Sequence, residues 1–241
     1  MENKKIIGLI GGMGPFAGIE LCRLILQKSS INFGAKDGKD FPEVILDSVP
    51  VPDFISDTSS LPEAKTMLIS RIKRLNKFGC TTIAMACNTG HILFPELSKT
   101  SNVKMVSIIN SVKDRVVKSN FKKVGLLATR TTIKSNLYIN TFNGTGIKVV
   151  IPDEKLINIC EDAIRSVIAD NISRKQKIDL LEVTKKFIKN NNLDGIILGC
   201  TELPLVFPKN KPANFVDCLD VLSDVLLKDY FSGKQSDLRV K

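Results

Sequence analysis

Apolar residues in this chain gather in short unbroken runs, separated by longer stretches in which they recur every three or four positions. The short runs predict strands at Lys5–Ile10, Glu43–Ser48, Thr82–Ala86, Lys104–Val106, Lys123–Ala128, Lys148–Ile151 and Gly195–Leu198. Each mixes β-branched and aliphatic residues with little polar interruption, as strands covered on both faces do. Helical spacing predicts helices over Phe16–Gln27, Glu63–Phe78, Asn110–Lys118, Glu154–Ala169, Arg174–Asn190 and Cys218–Tyr230. Ser173 precedes the helix at 174 as an N-cap. Strands alternating with helices predict an α/β fold, with a mostly parallel sheet flanked by helices.

The pattern repeats. Ile83-Ala84-Met85-Ala86-Cys87-Asn88-Thr89-Gly90-His91 and Ile196-Ile197-Leu198-Gly199-Cys200-Thr201-Glu202 each run from a strand through a small residue to a cysteine, then to polar groups. Phe-Pro follows at seven and eight positions in both (Phe94-Pro95 and Phe207-Pro208). Upstream, Ile7-Gly8-Leu9-Ile10 matches Val124-Gly125-Leu126-Leu127, with Gly8 79 residues before Cys87 and Gly125 75 before Cys200. The match predicts two pseudo-symmetric lobes: 1–115 with the first cysteine and 116–210 with the second. A final segment, 211–241, is expected to carry a helix back onto the first lobe. Such a duplication brings two thiols face to face across a cleft, which suits a reaction in which one removes a proton and the other returns it.

The chain's 241 residues, 43% hydrophobic and 25% charged, describe an ordinary globular protein and exclude disorder. No apolar run approaches the ~18–20 residues of a membrane span. The apolar start after Met1-Glu2-Asn3-Lys4-Lys5 is too short for a signal peptide and leads into Gly11-Gly12-Met13-Gly14-Pro15, so it reads as the first strand of a cytoplasmic protein. Six cysteines form no CxxC pair and there is one histidine, which argues against a metal site. Cys22, Cys80, Cys160 and Cys218 fall in apolar contexts and read as core residues. The net charge of +10 comes from lysines spread along helices and tails, without Trp and with two Tyr. That is a solvated surface rather than a nucleic-acid platform, although a positive field helps to draw in a small anion.

Four loops at strand ends hold the candidate chemistry. Gly11-Gly12-Met13-Gly14-Pro15 lacks the Gly-Lys-Ser/Thr of a nucleotide loop but suits contact with a carboxylate, which makes Met13 a candidate binder. Cys87 at a helix start is expected to have its thiol pKa lowered toward neutrality, with Asn88 and Thr89 as donors beside it. His91, one turn on, either reaches the site or caps the turn. Thr201 is a second donor, and Glu202 accepts from an ammonium or from the thiol, or forms a surface salt bridge. Thr129-Arg130-Thr131-Thr132 reads equally as an anion cradle or as plain N-capping by Thr132.

Gly11-Gly12-Met13-Gly14-Pro15, Ala86-Cys87-Asn88-Thr89-Gly90-His91 and Leu198-Gly199-Cys200-Thr201-Glu202-Leu203-Pro204 resemble the motifs of the aspartate/glutamate racemases. These are cofactor-independent amino-acid racemases, and Cys-Thr-Glu with a Gly-Gly-Met loop is similar to their aspartate branch. The resemblance implies a site at the interface of two α/β lobes, a homodimer, no pyridoxal phosphate and a small amino-acid substrate. It implies Cys87 and Cys200 as the proton-transfer pair, and Asn88, Thr89, Thr129, Thr132 and Thr201 as substrate binders. Three positions depart from the family pattern. Phe54 follows Pro52-Asp53 where many relatives carry arginine, Ile159 stands near a common lysine with Lys155 and Arg165 close by, and Gly90 replaces a usual alanine.

The expected activity is therefore interconversion of L- and D-aspartate, with glutamate as a further substrate. Two other functions remain open at this point. One is an isomerase or decarboxylase of dicarboxylates that uses a single cysteine; the other is a non-catalytic amino-acid-binding regulator on the same fold.

Overall fold

A computed structural model describes residues 5–54, 58–208, 212 and 214–232. Met1–Lys4 before the apolar start, and 233–241 at the end of the last expected segment, lie outside them. The first half runs β1 (Ile6–Gly11), α1 (Pro15–Phe33), β2 (Glu43–Ser48), α2 (Leu61–Lys77) and β3 (Thr82–Met85). A 3-10 turn (Thr89–Leu93), α3 (Phe94–Leu97), β4 (Lys104–Val106) and α4 (Ile108–Lys118) complete it. The second half runs β5 (Lys123–Leu127), α5 (Arg130–Lys134), α6 (Leu137–Phe142), β6 (Lys148–Val150), α7 (Glu154–Ile168), α8 (Arg174–Asn191) and β7 (Gly195–Leu198). It ends with α9 (Leu203–Val206), β8 (Phe215–Asp217) and α10 (Cys218–Phe231).

Each half builds a four-stranded parallel sheet in the same order, β2-β1-β3-β4 and β6-β5-β7-β8. The equivalence extends to register: Ile10 lies opposite Met85, and Leu127 opposite Leu198. The two repeated glycines have a shared reason. A Cβ on Gly8 would come 2.9 Å from the Cys80 sulfur, and one on Gly125 2.6 Å from the Phe187 ring, because a side chain packs flat on each central strand. No helix among the described residues is long and apolar enough to cross a membrane.

Three apolar clusters cover the sheets. One unites Ile72, Leu75 and Ile83 on one face of the first sheet, and another unites Cys160, Ile164 and Leu198 in the second half. The largest draws on both halves, and α10 supplies Leu219, Leu222, Leu226 and Leu227 to it. Helix α10 packs on α1 and α4. There Phe231 stacks on Phe33 at 4.4 Å, and Asp229 receives Thr82 Oγ1 and Lys104 Nζ, each at 2.7 Å.

Several elements differ from expectation. Helix α1 runs six residues past Gln27, because buried Ser29 donates back to the Ile25 carbonyl at 2.8 Å and the helix stops only at Gly34, at φ 73°. Strand β8 and helices α5 and α6 are not among the predicted elements; three to six residues are too few to show a period. Ser173 caps α8 as expected, in a reciprocal box with Gln176. Cys80, Cys160 and Cys218 are buried, whereas Cys22 is only partly covered.

Candidate functional site

Cys87 stands two residues beyond the end of β3, and Cys200 two residues beyond the end of β7. Because β3 and β7 hold equivalent places beside the central strands, the thiols open from the carboxyl ends of both sheets onto one cavity of about 280 Å³. Ligands of α/β sheets bind at such ends, and the volume suits a free amino acid better than a drug-sized molecule. Met13, Cys87, Asn88, Thr89, Thr129, Cys200, Thr201 and Glu202 all line it.

Thr132 does not line this cavity. It is fully buried one layer behind, where Thr89, Thr129 and Thr132 hydroxyls form a triangle with edges of 3.0, 2.9 and 2.9 Å. Thr89 belongs to the first half and the other two to the second, so the triangle ties the halves together under the site. The cap of α5 is Thr129, which accepts from the Thr132 N–H at 3.1 Å, and not Thr132. Arg130 turns away to Glu154 and Asn158, at 2.7 and 2.6 Å, so the four-residue stretch presents one hydroxyl to the cavity rather than a cradle of donors.

The remaining polar groups are held from behind. Asn88 Oδ1 accepts from Tyr138 OH at 2.6 Å, and its Nδ2 donates to the Cys218 sulfur at 3.2 Å. An amide nitrogen carries two hydrogens, so the second is available for a ligand. The Thr201 hydroxyl has one hydrogen, aimed at the Ala86 carbonyl (3.3 Å) and Glu202 Oε2 (3.0 Å), so it spans the two halves rather than offering a donor to the cavity. His91 acts as a strut. Its Nε2 accepts from the Ile108 N–H at 3.1 Å, which leaves Nδ1–H to donate to the Cys87 carbonyl at 2.7 Å. Burial lowers its pKa to about 4, so the ring stays neutral.

Glu202 is the buried carboxyl group of the cavity. It is 2% exposed. Oε2 accepts from the Cys200 thiol at 3.2 Å and from Thr201, while buried Oε1 has no hydrogen-bond partner among the described residues. Burial raises its pKa to about 7 against the pull of these donors. The carboxyl group presses on Gly14, where a Cβ would meet Oε1 at 2.0 Å, so this loop position has room only for glycine while Glu202 keeps its place.

The thiols depart from the expected lowering. Burial raises the Cys87 pKa to about 12, outweighing the Gly90 N–H that reaches its sulfur at 3.3 Å and the Thr89 N–H. Burial, and then the neighbouring Glu202, raise Cys200 well above the ordinary range. The elements that follow are a five-residue 3-10 turn and a four-residue helix, too short for their dipoles to offset desolvation.

The structure adds Asp53, Phe54, Arg165 and Ile168 to the cavity wall. Arg165 reaches across from α7, with both terminal nitrogens 3.2 Å from Asp53 Oδ2 in the first half. Ile159 and Lys155, the positions nearest the usual family lysine by counting, lie instead along a separate groove between α7 and α8. The signal that would have found Arg165 is helical phase. Ile164 and Val167 are buried beside it, so Arg165 and Ile168 flank that stripe at the end of α7.

This two-sheet architecture, with paired thiols at the strand ends, defines a class that sequence comparison identifies. Residues 10–223 match the family model described as Asp/Glu/Hydantoin racemase, and the chain belongs to that family and with it to the isomerases. It is 27% identical over 204 residues to a broad specificity amino-acid racemase from Bacillus subtilis, covering 83% of this chain and 87% of the relative. It is 30% identical over 212 residues to a glutamate racemase from Buchnera aphidicola, covering 81% and 79%. An aspartate racemase homologue from Pyrococcus horikoshii superposes with a TM-score of 0.76 at 29% identity, covering 94% of this chain and 99% of that one. The Picrophilus torridus aspartate racemase superposes at 0.74 and 29%, covering 94% of each.

Proposed function

We propose that this protein racemises amino acids by two-base proton transfer between Cys87 and Cys200, without pyridoxal phosphate. The observation that carries the reading is that two thiols from equivalent ends of two equivalent sheets line one small cavity. One thiolate takes the α-proton, and the opposed thiol protonates the planar carbanion from the other face. The second Asn88 amide hydrogen stabilises the charge that delocalises into the substrate carboxylate. One such donor is worth roughly 10²–10³ in rate.

The two thiols are activated differently. Cys200 hands its proton to Glu202, the carboxylate already 3.2 Å away. Cys87 is held ready by the Gly90 N–H. With pKa values this high, few resting molecules carry a thiolate, so the substrate's own ammonium charge, once enclosed, supplies part of the activation.

Aspartate, with glutamate beside it, is the substrate class that the family resemblance carries, and the named breadth of the Bacillus subtilis relative supports a wider set. A single-cysteine isomerase or decarboxylase of dicarboxylates has no use for the second thiol, and a binding protein has no use for Glu202 beside Cys200. The test is incubation of each L-amino acid with the purified protein, no cofactor added, followed by chiral chromatography. D-enantiomer from at least one substrate supports the reading, and none from any substrate refutes it.

A further inference from the structure

The geometry points to a neutral apolar side chain on the substrate, such as that of norvaline or methionine, rather than the carboxylate of aspartate; this rests on the racemase reading above. Two groups in the cavity serve the part common to all amino acids. Glu202 lines the cavity as the acceptor for an ammonium; its Oε1 is buried against Gly14 with no hydrogen-bond partner among the described residues. The second Asn88 amide hydrogen serves the α-carboxylate. The apolar side chains of the remaining lining include Met13, Val51, Phe54 and Ile168, and the first three pack into one apolar cluster; Asp53, Arg165, Thr129 and Thr201 are its polar part. Phe54 is 4% exposed and packs within that cluster.

Charge at the rim argues the same way. Arg165 is the sole cationic side chain on the lining among the described residues, and Asp53 already occupies it at 3.2 Å through both nitrogens. A substrate carboxylate reaching Arg165 would share it with Asp53 in this half-exposed pair, with Glu202 as a further acidic neighbour. A lysine-like side chain would likewise share Asp53 with Arg165. An uncharged chain leaves the pair intact and buries apolar surface against Phe54 and Ile168.

The test measures α-proton exchange in D₂O for alanine, 2-aminobutyrate, norvaline, methionine, aspartate, glutamate and lysine. One methylene in an apolar pocket changes kcat/KM by roughly 10–200-fold. Exchange should therefore climb by about tenfold per carbon from alanine to norvaline, and norvaline should exceed aspartate at least tenfold. Phe54→Arg should shift that ratio toward aspartate by at least tenfold, through new charge on the wall. Aspartate, glutamate or lysine leading the wild-type series would overturn the apolar assignment and leave the racemase reading standing. No exchange with any of the seven would overturn both.

Discussion

Replacing Glu202 with glutamine removes the group on which the electrostatics of the cavity turn. A carboxyl with a pKa of 4.5 in water and about 7 in the folded protein binds its proton more tightly when folded. Stability is therefore highest at low pH and falls as pH rises through the window from 4.5 to 7, then levels off. At about 1.4 kcal/mol per pH unit, the full loss is about 3 kcal/mol. Glu202→Gln keeps the shape and an acceptor for Cys200 and Thr201 but has no such titration. Urea denaturation at pH 4.5 and pH 8 should show the wild type losing about 3 kcal/mol more than the variant across that interval. At pH 8 the variant should melt about 6–12 °C higher, at roughly 2–4 °C per kcal/mol for a chain of this size. Its activity should drop by about 10²–10⁴, the range for loss of a positioned acid or base. Equal pH slopes in the two proteins would refute the assignment of a buried, destabilised carboxylate.

Gly14→Ala puts a Cβ where Oε1 of Glu202 now lies. Since the carboxyl end of a side chain yields more readily than backbone, kcat should fall by about tenfold or more with little change in melting temperature. A loss of stability above 3 kcal/mol would place the strain elsewhere. Tyr138→Phe leaves Asn88 Oδ1 buried without its 2.6 Å donor, which should cost about 1–3 kcal/mol in urea unfolding and slow turnover. Unchanged stability would show that Asn88 is not held from behind.

The fold was legible because all seven predicted strands are short, apolar and flanked by helices with clear phase, and because Gly8 and Gly125 each mark a packing contact repeated in the other half. The cavity residues nearest the thiols were legible for a related reason. Strand-to-helix turns put Cys87, Asn88, Thr89, Cys200, Thr201 and Glu202 at the carboxyl ends of strands, where sites form. Contacts between distant segments were not legible. Nothing local marks Thr132 as a buried partner of Thr89, Cys218 as a neighbour of Asn88, or Asp53 as the partner of Arg165. The thiol pKa values were misjudged because a sequence shows the helix start but not the depth of burial, and here burial dominates.

The central claim is that two opposed thiols each move one proton. Its most direct test follows an L-substrate in D₂O at early times, by NMR and chiral chromatography, for the wild type, Cys87→Ser and Cys200→Ser. The account predicts deuterated D-product while recovered L-substrate keeps its proton, and racemisation at least 10²-fold slower in each variant. Deuterium entering recovered L-substrate as fast as D-product forms, or full racemisation by either variant, would contradict it.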